Sequence, residues 1–441
     1  MGIDNIQIEA AEKLKKFSLE LKEKNVNVGT SAYTFVATWG KNLGFEYLKF
    51  KILKRSGFIK FLIILLKDLY YAFTTCSYVI LNDIKLNGKK KIIFSNASIL
   101  DFDEHGLFTD RYFKINSKDY NDFIFILMYS SKEIPNNISK NVILLRRKRK
   151  FFLHEFIYFF FGLLKLNKKR NYFYNFSSAK KVSDKILLIL KKIIDFKNFD
   201  KIIVPYEGLP FQQGLFLEAK KINSNIKTIG YDHSAPHAVP LNLLYRAGSP
   251  DILIVNGDSQ KNYLINYLGW KNEKIKISPS LRYNKNSTED FKNNVYFPWS
   301  ITNEKSILQS FKILLKNLEP RSLNYLTIKI HPVSDNLKKQ LSLKEKLENL
   351  FKKNNNKFGN KKKITSIFIG STTGVIVALE KNVDVFHLCF DPVFESYSEK
   401  VWPQLNVKKI NDNIFAYNLK KKNTFINFGE GDSSFSKYYD I

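Results

Sequence analysis

Lys201-Ile202-Ile203-Val204-Pro205-Tyr206-Glu207-Gly208 sets an apolar, β-rich run directly against a carboxylate and a glycine. Two further stretches repeat the pattern. Leu326-Thr327-Ile328-Lys329-Ile330 runs into His331-Pro332, and Ser366-Ile367-Phe368-Ile369 runs into Gly370-Ser371-Thr372-Thr373. In open α/β sheets, ligands bind in the crevice outside the carboxyl ends of the strands. A carboxylate, an imidazole and a hydroxyl-rich turn therefore stand where such folds place their sites. The pattern points to transfer chemistry with a nucleotide-linked donor.

The surroundings of these stretches set the fold class. From Lys89 onward, short apolar segments at 91–95, 123–128, 142–145, 202–204, 228–231, 252–255 and 275–278 alternate with helical patterns at 151–166, 179–194, 211–222 and 259–268. Such alternation predicts a parallel, doubly wound sheet. The polar stretch 284–294 lacks periodicity and is the expected linker. A second series follows: helix 304–318, strand 326–330, helix 337–353, a lysine- and asparagine-rich loop at 354–363, strand 364–369, helix 373–380 and strand 383–388. The expected architecture is α/β, with two Rossmann-like lobes and a cleft between them. Residues 1–85 are expected to be mostly helical, 86–283 to form the first lobe and 295–441 the second.

Composition bounds the partners. At 441 residues the chain exceeds one ordinary core, and its 44% hydrophobic content can bury more than one. Cys76 and Cys389 lie far apart without zinc or redox spacing, which fits a reducing compartment. Asp4, Glu9 and Glu12 occupy the start, where a secretory signal would be basic and then apolar. The formal charge of +30 speaks to partners rather than fold. Only nine of the 71 basic residues are arginine, the residue favoured for bidentate base and phosphate contacts. An AT-rich coding bias explains the lysines without selection for function; an anionic membrane or acceptor surface is the other account. Lys60, Lys67 and Asp68 interrupt the apolar stretch 58–81, leaving it short of the roughly 20 apolar residues of a spanning helix. An interfacial helix and a core helix both fit it.

Each motif has a chemical and a plainer account. Glu207, at a strand end with limited water, can carry a raised pKa and act as general base, or it can be a turn glutamate favoured by the following helix dipole. Gly208 would let a ligand approach the backbone closely. His331, fixed by Pro332, can bond a phosphate oxygen and stabilise a leaving nucleotide, with Lys329 assisting from the same face; a lone strand-end histidine can equally be structural. Gly370, Ser371, Thr372 and Thr373 offer backbone N–H groups and hydroxyls for an anion, or a plain helix cap. Asp232 and His233, in Gly230-Tyr231-Asp232-His233-Ser234, end the next strand and should lie beside Glu207. No helical i,i+4 pair or cysteine supports a metal there.

With these residues in order, the chain resembles the GT-B glycosyltransferases that use CMP-activated acidic sugars: bacterial sialyltransferases, polysialyltransferases and Kdo transferases. Glu207-Gly208 matches their acidic-glycine motif, His331-Pro332 their His-Pro, and Ser371-Thr372 their paired hydroxyl motif. The stretch 205–283, including Leu281-Arg282-Tyr283, also resembles bacterial surface-carbohydrate biosynthesis proteins of this type. Tyr206 stands where the paired-acid variant has its first acid, matching the single-acid variant. The resemblance covers roughly 200–395.

It implies metal-independent transfer without a cofactor. Glu207 would take the acceptor proton, and His331 with Ser371 and Thr372 would hold the phosphate of a CMP-sugar. Gly208, Asp232, His233 and Arg282 would shape the acceptor side of the cleft. The last residues would cross back to the first lobe, as GT-B chains often do. The implied acceptor is a surface glycan or glycolipid, and the implied place is the inner face of the cytoplasmic membrane, held there peripherally through basic, aromatic surfaces of the first lobe. Two rivals stand beside this. A CDP-polyol phosphotransferase would use His233 as its base. A non-catalytic nucleic-acid- or membrane-binding protein would use Arg146-Arg147-Lys148-Arg149-Lys150 and the aromatic run after it. That basic cluster is expected to open a helix, and no nucleic-acid partner is expected.

Overall fold

Strands covered on both faces read as continuous apolar runs rather than alternating ones. Those runs account for most of the sheet residues found. The computed structural model describes residues 2–23, 49–50, 53–55, 57–74, 77–82, 88, 90–148, 178–284, 291–301, 303–317, 326–332, 334, 336–354 and 365–429. The expected helix over 151–166, Arg149 and Lys150 lie outside the described residues, as does most of the expected linker.

Eight strands build the first sheet: β1 (Ser77–Ile80), β2 (Lys91–Ala97), β3 (Phe123–Tyr129), β4 (Val142–Lys148), β5 (Lys201–Pro205), β6 (Lys227–Tyr231), β7 (Ile252–Val255) and β8 (Ile275–Ile277). Their order is β1-β4-β3-β2-β5-β6-β7-β8, parallel from β4 to β8. Counted from β2, the parallel part reads 3-2-1-4-5-6-7, the Rossmann order with its switch point between β2 and β5. After β9 (Ser280–Asn284), six strands form a separate second sheet: β10 (Asn294–Tyr296), β11 (Thr327–Lys329), β12 (Thr365–Ile369), β13 (Asp384–Leu388), β14 (Leu405–Asn411) and β15 (Ile414–Leu419). Its order is β11-β10-β12-β13-β15-β14, with a switch point between β10 and β12. The fold is thus α/β and doubly wound in both sheets, as the alternation predicts.

Two details differ from the sequence expectation. Arg146, Arg147 and Lys148 do not open a helix but continue β4, because antiparallel pairing with β1 extends that edge, Ser77 to Lys148 and Tyr78 to Arg147. The first 85 residues carry helices Ile3–Glu23 and Phe58–Thr74, yet also supply β1. Among the described residues, no helix is long and apolar enough to cross a membrane.

One apolar core runs through both sheets. It joins Ile92, Ile202, Val204, Tyr263 and Leu264 on the first sheet's side to Val375, Val385 and Trp402 on the second's. Trp402 is fully buried. Its ring stacks on Tyr263 at 4.7 Å, and its indole N–H donates to the Ala238 carbonyl at 2.9 Å. Tyr397 Oη donates to the Pro236 carbonyl at 2.8 Å, and Gln7 Nε2 donates to the Val393 and Ser396 carbonyls. The buried Glu380 carboxylate accepts the backbone N–H groups of Asn423, Thr424, Phe425 and Ile426. That clamp directs the chain back past the end of β7, to where β16 (Phe428–Gly429) pairs with β9 in a two-stranded sheet of their own.

Removing the Trp402 ring leaves a cavity and an unpaired Ala238 carbonyl. Trp402→Ala is therefore expected to lower stability by about 3–5 kcal/mol, and Tyr397→Phe by about 1 kcal/mol. Urea denaturation checks both; a Trp402→Ala loss of under about 1 kcal/mol would contradict this packing role.

Candidate active site

The first switch point opens between the ends of β2 and β5, and the chain ties Glu207 there by its backbone. Gln212, in helix Pro210–Ile222, accepts the N–H groups of Glu207 and Leu209 at 3.0 Å each. Its amide donates back to the Pro205 carbonyl at 2.6 Å. Asn242 Nδ2 donates to the Glu207 carbonyl at 2.7 Å. Gln212 therefore satisfies the backbone groups at the start of that helix. Gly208 has a φ of +67°, and a Cβ there would lie 2.1 Å from the Asn242 carbonyl oxygen. That backbone by itself requires the glycine.

The freed Glu207 side chain keeps 37% of its surface, and its Oε1 lies 3.5 Å from His233 Nε2. Strand pairing of Pro205 with Tyr231 brings the two loops together, as expected from the sequence. Burial raises the Glu207 pKa while Arg282 opposes the rise. His233 is only 4% exposed, and burial together with repulsion from Arg282 depresses its imidazole to about 3. It is a neutral ring at working pH, and its Nδ1 has no hydrogen-bond partner among the described residues. Asp232 accepts from Gln260 Nε2 and the Ser234 N–H. Burial, with the Glu207 charge nearby, lifts it to about 8. Arg282 is exposed on β9 and lies over the Tyr283 ring.

The sequence reading missed the other wall of this crevice. Phe108, Phe113 and Ile115 bury themselves on the far face of the first sheet and hold the irregular segment between β2 and β3 in place. That segment delivers Tyr112, whose ring meets His233 at 4.4 Å and whose hydroxyl pKa is raised by burial and by Glu207. It also delivers Arg111, paired through two nitrogens with Asp101 and bonded to Ser98 Oγ at 2.9 Å. Asp110, fully buried, accepts the Tyr112 and Phe113 N–H groups and fixes the turn. Irregular spacing hid these residues; the Asp-Arg-Tyr run at 110–112, directly before buried aromatics, was the one usable signal.

On the second sheet, β10, β11 and β12 are adjacent and parallel, so His331 and Ser371 leave the same edge, two strand spacings or roughly 10 Å apart. His331 is half-buried, while Lys329 and Pro332 are exposed. Buried Gln340, also missed, accepts the His331 N–H at 3.0 Å and donates to the Pro298 carbonyl at 2.8 Å. It thereby ties the end of β11 to the end of β10. Gly370 has a φ of +63°, with Phe390 and Pro298 where a Cβ would sit. His387 Nε2 is 2.6 Å from its carbonyl and holds the turn from below. Ser371, Thr372 and Thr373 are half-buried, and Thr372 Oγ1 accepts the Gly374 N–H at 3.2 Å.

The two edges share one side of the molecule. Pro236 and Ala238 lie in the loop that carries Asp232 and His233, and they receive Tyr397 and Trp402 from the segment beyond β13. Loops leaving the carboxyl ends of both sheets therefore meet. Among the described residues, no group of three His, Cys, Asp or Glu side chains is placed to hold a metal.

No protein-family model matches this chain. No curated protein matches it by sequence. By structure it is similar to UDP-GlcNAc 2-epimerase from Neisseria meningitidis bound to UDP-GlcNAc, at 10% identity and a TM-score of 0.38, covering 80% of this chain and 99% of that one. It is also similar to a glycosyltransferase from Rickettsia africae ESF-5, at 15% identity and a TM-score of 0.28, covering 64% and 73%. Likeness at this level leaves the chemistry to the residues of this chain.

The Asp232 carboxyl gives a pH test. Its ordinary value is 3.8 and its folded value about 8. The folded protein holds a proton on this carboxyl that the unfolded chain releases in that window, so the contribution of Asp232 to stability falls as pH rises from about 4 to about 8. Asp232→Asn cannot ionise and is expected to gain stability on the wild-type protein across the same window. Denaturation at pH values near the two ends checks this; a constant stability gap between the proteins would count against it.

Proposed function

We propose that this protein is a glycosyltransferase that moves an acidic sugar of the Kdo or nonulosonate type from a CMP-linked donor to a hydroxyl of a glycan or glycolipid. The observation carrying the proposal is Glu207: a part-exposed carboxylate with a raised pKa at the first switch point, on the side where both sheets' strand-end loops meet. In this reading Glu207 takes the acceptor hydroxyl proton as the oxygen bonds to the anomeric carbon. The bond from that carbon to the phosphate oxygen breaks, and its electron pair leaves with the nucleotide. His331, with Lys329 and the Ser371 and Thr372 hydroxyls, receives the phosphate charge.

In this reading His233 orients Glu207 rather than acting alone. A buried ring with a pKa of about 3 is a poor base near neutrality, which speaks against the polyol-phosphate rival. Tyr112 and Arg282 would line the acceptor side.

General base catalysis contributes roughly 10²- to 10⁴-fold, so Glu207→Gln should lower turnover by about that factor while donor binding is kept. His331→Ala should weaken donor binding and turnover together. Transfer assays with CMP-activated acidic sugars, paired with nucleotide titrations, read both variants. Near-normal transfer by Glu207→Gln, with loss on His233→Ala, would move the base to His233 and favour the rival chemistry.

A further inference from the structure

Helix Phe58–Thr74 is amphipathic the wrong way round for a surface helix. Its half-buried side, with Phe61, Leu65, Asp68 and Leu69, faces the protein and packs on helix Ser178–Ile193. Its outward side carries Ile59, Leu62, Ile63, Leu66 and Tyr70, with Ile59 74%, Leu66 58% and Tyr70 65% exposed. At 100° per residue these five fall within a stripe about 100° wide. Ordinary surface helices turn such a stripe inward, and an outward one marks an interaction site. Lys60 and Lys67, two turns apart, border one edge of the stripe and are exposed, as is Lys54. Asp68 is the single acid among the described residues from 53 to 74, and it lies on the inner side.

We propose that this helix lies in the plane of an anionic lipid bilayer, with the stripe among the acyl chains and the lysines at the headgroups. At 17 residues it is about 25 Å long, too short to span and suited to lie flat. Lysines beside an apolar stripe can bury their stems and keep their charge at the lipid phosphates, and an excess of +30 over the whole chain adds attraction. Charge complementarity thus selects an anionic bilayer over an apolar protein partner. The proposal stands on exposure and charge alone and does not need the transfer chemistry.

Flotation of the full chain with vesicles tests it, comparing pure phosphatidylcholine with a mixture holding about 30% phosphatidylglycerol. The wild-type protein should float with the anionic vesicles and not the neutral ones at low salt. Ile59→Ser/Leu66→Ser, on exposed positions, should lower partitioning about tenfold or more with an unchanged circular dichroism spectrum. Lys60→Gln/Lys67→Gln should lower it several-fold, an effect that added salt removes. Wild-type flotation by Ile59→Ser/Leu66→Ser would overturn the proposal, as would equal flotation with both vesicle types. A wild-type dimer that ignores vesicles and becomes monomeric on Ile59→Ser/Leu66→Ser would instead assign the stripe to a second copy. None of these readouts uses turnover, so failure here leaves the role of Glu207 to its own test.

Discussion

The contact of Trp402 with the loop after β6 is the constraint on which the cleft depends. Two doubly wound sheets can each bury their own helices and remain separate bodies, since interfaces between domains are often small and polar. Here the ring of Trp402 stacks on Tyr263 and its N–H satisfies Ala238. Tyr397 does the same for Pro236. Buried carbonyls left unpaired are costly, so the loop that carries Asp232 and His233 is held by the second sheet's own residues. The general base candidate and the phosphate-side candidates therefore depend on one buried seam for their relation to each other.

Around that seam, backbone tethers place the chemistry. Glu207 is held through its N–H and carbonyl by Gln212 and Asn242, leaving the carboxylate to His233 and solvent. His331 and the Gly370 turn are held the same way, by Gln340 and His387. In each case a buried polar residue bonds the backbone beside a candidate residue.

How much the sequence told follows from what each element looks like in one dimension. Strands β2 to β7 are largely covered on both faces, so they read as apolar runs and fall within a residue or two of their expected bounds, except the polar end of β4, Arg146 to Lys148. Strand β14 is rich in asparagine and lysine and partly exposed, β1 is only four residues long, and β1 and the β14–β15 hairpin pair antiparallel, outside the strand–helix alternation that marks the parallel strands. Glu207 and His233 were legible because they end strands. Tyr112 and Arg111 were not, because a segment without periodicity brings them in, held by Phe108 and Phe113. Gly208 was legible as a special residue; the Asn242 backbone that crowds it, about 30 residues further along the chain, was not.

The central claim is that a CMP-linked donor binds at the strand ends of the second sheet while Glu207 waits on the first. Thermal denaturation with CMP, CDP, UDP and GDP, each in large excess, tests it most directly. A ligand at 100 times its dissociation constant adds about 2.7 kcal/mol of stability. The account predicts that CMP raises the melting temperature most, equally in the wild-type protein and Glu207→Gln, and fails to do so in His331→Ala. No stabilisation by any nucleotide, or stabilisation that survives in His331→Ala, would contradict it.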